Sequence, residues 1–234
     1  MLSLLAKKAL PSTLFRRFTS IDASTVHHKI IAPSQKDEII DFLSTHYLQA
    51  DPITKALNLE SQESRKFLGE LFDLYTIKPV SFGLYTEENE LVALKMNSIL
   101  DGRTNIYAKL ELTRHSLKVL YLLRLLETVQ RKLAVVQASE RWFSFNITVV
   151  PEQWANHGLG EKMWDISMAK ARETGCDGAF AFCTTAVAQR TLAKHFGFKP
   201  VYTIKYADYK AFDGTKIFEK VFTPESAKLM VRTW

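Results

Sequence analysis

Cysteine is nearly absent. Cys176 and Cys183 are the only two in 234 residues, too few for a disulfide framework in a chain this long, so both are expected to be free and buried. Proline (7) and glycine (9) are also sparse. No stretch is dominated by Pro, Gly or Ser, which leaves no linker signal and no low-complexity segment. A long uncharged apolar run is missing too. The most apolar stretch, Leu117 to Val136, is punctuated by Lys118, Arg124, Glu127, Arg131 and Lys132, and this excludes a conventional membrane span. Acid is missing from residues 1–21, which hold Lys7, Lys8, Arg16 and Arg17, so four of the six net positive charges sit there and the rest of the chain carries +2. A body so nearly balanced has no clustered basic face for nucleic acid.

What is present is core material. Hydrophobic residues make up 47% and aromatics 12%, which fills one large core more readily than two small ones, so residues 25–234 are expected to form a single domain. Residues 1–24 are a different object. Leu2, Leu4, Leu5, Leu10, Leu14 and Phe15 interleave with serines and cations, a composition that suits an amphipathic targeting segment. The expected address is mitochondrial, otherwise cytoplasmic. The alternative is a disordered basic arm, because Pro11 interrupts any long helix there.

The first half reads as a short strand at 27–32, then a helix opened by a capping box at Ser34 and Asp37. That helix should end near Ala50, because Asp51 precedes Pro52 and a residue before proline is pushed out of helical geometry. A helix at 60–76 follows, then a hairpin of Val80–Tyr85 and Leu91–Ile99 around the polar turn Glu87, Glu88, Asn89, Glu90. The second half reads as a long amphipathic helix at 114–138, a strand at 142–150, a helix at 158–174, a strand at 178–183 and a helix at 186–195. Strand-like runs at 200–207 and 216–222 close the chain. Strands alternating with helices in this second half imply parallel βαβ pairing there and an α/β fold.

The chemistry is expected where the strand ending at Val150 runs through Pro151, Glu152, Gln153, Trp154, Ala155, Asn156, His157, Gly158, Leu159 and Gly160 into a helix. Glycines at a helix start remove side chains that would block a pyrophosphate, and the unpaired amides of the first turn point at it. The macrodipole adds only about 0.3–1 kcal/mol per exposed charge, so aligned N–H donors supply most of the grip. A tight structural turn would look the same from Gly-x-Gly alone. A dinucleotide fold is disfavoured, because the third glycine is missing and the loop lies late in the chain.

The segment Asn146 to Phe198 resembles the acetyl-CoA-binding core of the GNAT superfamily: a strand (NITVV), proline, a glycine loop (ANHGLG), a helix, a strand (GAFAFC), a helix and the Gly197-Phe198 pair. Tyr206-Ala207-Asp208-Tyr209-Lys210 with Asp213-Gly214 is similar to the C-terminal part of animal arylalkylamine N-acetyltransferases, and Asp41-Phe42-Leu43 through Tyr47 to Asp51-Pro52-Ile53 resembles their first helix. The match runs in order over residues 28–232. It implies a mixed, centrally splayed β-sheet flanked by helices and an acetyl-CoA-dependent N-acetyltransferase. An amine, by resemblance an arylalkylamine, would attack the thioester directly.

On that resemblance Ile147, Thr148 and Val149 bind the pantetheine arm through their main chain, and Ala155, Asn156, His157, Gly158, Leu159 and Gly160 form the pyrophosphate loop. Ala155 replaces the family's common arginine or glutamine. His157 would donate to phosphate, or be an ordinary surface histidine; Trp154 would face the cofactor or anchor the core. The family's proposed general base is a glutamate before proline, and Asp51 stands there, roughly 1.5 Å shorter. Thr185 keeps a hydroxyl where the family has serine and would protonate the leaving thiolate or simply cap the next helix. Gln189 lacks that hydroxyl, and Ala193 stands where many GNAT enzymes have an acidic tyrosine. Phe42, Tyr47, Phe67, Phe72 and Phe82 suit either an apolar pocket or a core. Cys183 would need an adjacent base to act as a nucleophile. His27, His28, His46 and His195 lack metal-ligand spacing, so no metal is expected. The rival readings are an acyl-CoA-binding protein without catalysis, and an acyltransferase for another amine or a longer acyl chain. Nothing in the sequence fixes an oligomeric state.

Overall fold

The computed structural model describes residues 22–101, 107, 110, 115–136 and 141–234; the expected targeting segment lies outside them, apart from Asp22–Ser24. Seven strands form one mixed sheet in the order β1-β2-β3-β4-β5-β7-β6. They are β1 (His27–Ile30), β2 (Phe82–Tyr85), β3 (Leu91–Asp101), β4 (Arg141–Val149), β5 (Gly178–Cys183), β6 (Lys199–Lys205) and β7 (Ser226–Thr233). The helices that bear on the site are α1 (Lys36–Phe42), α2 (Leu48–Ala50), α3 (Pro52–Ala56), α4 (Ser61–Tyr75), α5 (Leu117–Val136), α6 (Leu159–Glu173) and α7 (Ala186–Phe196).

The sheet is sandwiched between helices. Residues of α1, α4 and α5, among them Ile39, Phe67, Leu71 and Leu122, share one buried cluster with Leu94, Met96, Trp142 and Leu229 of the sheet. On the other face Trp164 and Met168 of α6 and Leu192 of α7 pack with Phe143, Phe145, Ala179 and Met230. Trp154 joins Leu159, Met163, Phe82 and Leu84 in a third cluster, and is therefore a core anchor.

Three expectations are corrected. No side-chain cap forms at Ser34; a 3-10 turn over Pro33–Gln35 precedes α1, and the Ala32 N–H donates to Gln35 Oε1 at 3.0 Å instead. Only β4 and β5 run parallel, and every other neighbouring pair is antiparallel. The closing strand is Ser226–Thr233, not 216–222, and it inserts between β5 and β6. The apolar run at 216–222 misled because its buried member, Phe218, packs against the rings of Tyr206 and Tyr209 rather than pairing in the sheet. The hairpin forms as expected, and Asn89 turns it with φ 66°, the left-handed region asparagine tolerates.

Two irregularities of β4 shape the site. Asn97 of β3 pairs with Phe145 while Met96 pairs with Ile147, so Asn146 is an extra, bulged residue. A bulge shifts which side chains face which side. Before it Phe143 and Phe145 face α6; after it Ile147 and Val149 pack on the opposite cluster. The second irregularity is a gap. Pairing of β4 with β5 stops at Phe145 and Ala181, although β4 continues to Val149 and β5 to Cys183.

Candidate active site

The splay begins where pairing stops. Ile147, Thr148 and Val149 pair with β3 alone, so main-chain groups on their β5 side have no ladder partner, a situation that persists in native proteins only where water or a ligand satisfies them. A cavity of about 310 Å3 opens there. Ser144 through Val150, Gly160 and Trp164 line it together with Phe180 through Thr185, and so does Asp51.

The loop after β4 places the helix mouth beside that gap. A 3-10 turn over Glu152–Trp154 brings the chain to Asn156, at φ 64°, and Gly158, at φ 75°, which is the N-cap of α6 and supplies no side-chain cap. The first amides of α6 are therefore left without an intrahelical partner. A Cβ on Gly160 would meet nothing within 4 Å, so the mouth is open. The cation nearest in sequence is engaged elsewhere: Lys162 Nζ donates to the carbonyls of Ala23 at 2.6 Å and Val26 at 2.7 Å. His157 Nδ1 lies 2.7 Å from the Ala155 carbonyl oxygen, and as donor there it braces the loop.

Asp51 reaches the cavity because of two local features. Residues Leu43–Tyr47 form a π-helical turn, a device common at functional sites, and Pro52 then ends the run and restarts it as α3. Asp51 caps α3, its Oδ1 accepting from the N–H groups of Ile53 at 3.0 Å and Thr54 at 3.1 Å. Its Oδ2 accepts from the Thr184 hydroxyl at the end of β5. Burial raises the carboxyl above the ordinary aspartate value, and the hydrogen bonds from Thr184, Thr54 and Ile53 only partly oppose this. Tyr206 donates to the Thr184 carbonyl at 3.1 Å, and burial, with the Asp51 charge adding, pushes its phenol upward.

Thr185 lies beside Asp51's partner but is occupied differently: its Oγ1 accepts the Ala188 N–H at 3.2 Å and caps α7. The residue that sequence reading missed is Thr184. Two adjacent threonines after a strand gave no way to tell which hydroxyl faces the carboxylate. Gln189, read as a lost hydroxyl, holds α7 to the sheet, its Nε2 donating to the carbonyls of Cys183 at 3.2 Å and Ser226 at 2.7 Å. Cys183 and Cys176 are buried and form no disulfide; burial pushes the Cys183 thiol up to about 12, so it holds no thiolate near neutrality.

Beyond Asp51 the cavity is apolar and aromatic. Tyr47, Phe67, Leu71, Tyr75, Tyr107 and Leu126 line it, with the Tyr75 and Tyr107 hydroxyls 3.2 Å apart. Phe72 and Phe82 are core residues instead, and Phe42 packs against the core. Among the described lining residues Asp51 is the one carboxylate.

A seven-stranded sheet that parts between its central parallel strands, with a glycine-opened helix at the gap, is the GNAT fold. Solved structures similar to the chain include amine acetyltransferases of insects. It is similar to arylalkylamine N-acetyltransferase 2 from Aedes aegypti, at 22% identity over 89% of this chain and 98% of that one, with a TM-score of 0.77. It is similar also to a putative arylalkylamine N-acetyltransferase 7 from the same mosquito (13% identity, 89% and 87% covered, TM-score 0.76). A polyamine N-acetyltransferase of Drosophila melanogaster, which forms N-acetylagmatine, matches at 18% identity, 89% and 100% covered, and TM-score 0.72. No family model and no curated protein matches the chain. Among the described residues no helix is long and apolar enough to cross a membrane.

Proposed function

We propose that this protein is an acetyl-CoA-dependent N-acetyltransferase acting on a primary amine, with an arylalkylamine as substrate. The observation that carries the reading is the single cavity that joins the parted strands and Gly160 to a buried carboxylate. The helix mouth takes the pyrophosphate, the gap takes the pantetheine arm, and the thioester comes to lie near Asp51.

The amine arrives as an ammonium and must lose a proton before it attacks. Asp51 takes that proton, directly or through one water, and its raised pKa makes it a stronger base than an exposed aspartate. The amine lone pair then bonds to the acyl carbon, and main-chain amides of β4 beyond the end of its pairing with β5 receive the oxyanion. As the C–S bond breaks, the tetrahedral nitrogen sheds its second proton and the departing thiolate gains one; Thr185, whose oxygen accepts from Ala188 and whose hydrogen stays free, relays it, giving its own proton to sulfur as it takes the nitrogen's. The apolar walls favour an aromatic monoamine over agmatine or a polyamine, because a second cation would sit among Phe67, Leu71 and Tyr75 with no carboxylate to meet it.

Release of CoA thiol from acetyl-CoA across a panel of amines tests this. Turnover should be fastest with tryptamine- or phenethylamine-type substrates. CoA binding without turnover on any amine would support the non-catalytic reading instead. The acid-free composition of residues 1–21 supports a mitochondrial address; a fluorescent protein fused after residue 24 that stays diffuse in the cytoplasm would refute it.

A further inference from the structure

Lys95 is fully buried in the middle of β3. Its ammonium has one hydrogen-bond acceptor among the described residues, the Thr148 hydroxyl at 2.6 Å. Otherwise it lies 3.6 Å from the centre of the Trp164 ring and 4.9 Å from that of Phe145. Burial holds its pKa well below the ordinary lysine value, and the one titratable group opposing this among the described residues is Cys183, on the far lip of the gap. Burying an ammonium without a carboxylate is costly, and the two rings recover only part of that through cation–π attraction.

Where this cation sits gives it a use. Lys95 and Thr148 are register partners, and the bulge at Asn146 turns Thr148 to the α6 side, beside Trp164. Thr148, Phe145, Trp164 and Cys183 all line the cavity between the parted strands. A hydroxyl carries one hydrogen and two lone pairs. Lys95 occupies a lone pair, so the hydrogen of Thr148 is left to point elsewhere, and no protein acceptor takes it among the described residues.

We propose that the Lys95–Thr148 pair is a side-chain grip on the arm of acyl-CoA, in which Lys95 fixes the Thr148 oxygen as acceptor and Thr148 donates its hydrogen to a carbonyl of the pantetheine in the gap. The inference rests on the acyl-CoA reading above and adds to it. The main chain alone does not hold the arm, and Lys95 acts as a positioning residue through Thr148.

Calorimetric titration of the full chain with two ligands tests it: CoA, and 3′-phosphoadenosine 5′-diphosphate, which keeps the phosphates and lacks the arm. Thr148→Val should weaken CoA about tenfold, the order expected for one hydrogen bond, and Lys95→Met, which leaves the hydroxyl but no longer orients it, about threefold; both should leave the armless ligand within twofold. The double variant should lose no more than Thr148→Val alone, since without the hydroxyl Lys95 has nothing to orient. Thr148→Ser, which keeps the hydroxyl, should bind CoA within twofold of the natural chain. Unchanged CoA affinity in Thr148→Val would overturn the proposal, as would an equal loss for both ligands, and thermal unfolding identifies any variant that fails to fold. If the natural chain binds neither ligand, the acyl-CoA reading itself fails; if it binds both and Thr148→Ser does not restore the loss, only the grip fails.

Discussion

The Thr184 hydroxyl donates to Asp51 Oδ2, tying the end of β5 to the start of α3 across 133 positions of sequence. The bond fixes one carboxylate oxygen, while the other caps a helix, so the group is oriented before any substrate enters. Such preorganisation is what proton transfer requires.

Replacing Asp51 with Asn keeps the cap and the shape but removes the base. The expected loss is about 10² to 10⁴ in kcat/KM, measured by thiol release with the best amine. A loss below about threefold would remove Asp51 from that role.

The same group sets a pH dependence of stability. Its folded pKa is raised, so the folded state binds the proton more tightly than the unfolded one. Its contribution is fully present below the unfolded aspartate value and is lost as pH rises through the folded value. The natural chain should therefore lose stability relative to Asp51→Asn as pH climbs from about 4 to neutrality, read from urea midpoints. A constant difference across that window would contradict the assignment.

Thr184→Val removes a bond that lowers the Asp51 pKa. The acid limb of the kcat/KM profile should move to higher pH, by up to about one unit for one hydrogen bond. An unmoved limb would mean that another group governs it.

Gly160→Ala adds a methyl to empty space and, inside a helix, exchanges glycine for a better former. Melting temperature should hold or rise slightly. Acetyl-CoA KM should rise about tenfold or more because the methyl stands at the phosphate mouth, an effect of about 1.4 kcal/mol. A drop in stability with unchanged KM would reverse the reading of this glycine.

Gln130→Glu places a second carboxylate on the cavity wall with little change of shape. The ratio of kcat/KM for agmatine to that for an arylalkylamine should rise about tenfold, as a partly buried ion pair allows. No change in the ratio would show that the far amine does not reach this wall.

Local physics explains which of these features the sequence displayed. Pro52 after Asp51, and Gly158 with Gly160 before an amphipathic run, are rules of backbone geometry written in adjacent residues, and both places line or flank the cavity. The parted strands and the bulge at Asn146 depend on register between segments far apart in the chain, which no local pattern encodes. Thr184 rather than Thr185 facing Asp51, and Lys95 reaching Thr148, are likewise products of that register. The misplaced last strand shows the converse. Residues 216–222 have the composition of a strand, but aromatic packing of Phe218 outcompetes pairing there.

The most direct test of the gap as the acyl-CoA site is a crystal structure of the full chain grown with CoA. Density should show the diphosphate at the amides of Gly158 to Gly160 and the pantetheine arm between Ile147–Val149 and Phe182–Cys183, its sulfur pointing toward Asp51. Strands β4 and β5 zipped together with CoA bound elsewhere, or no CoA bound at saturating concentration, would contradict the account.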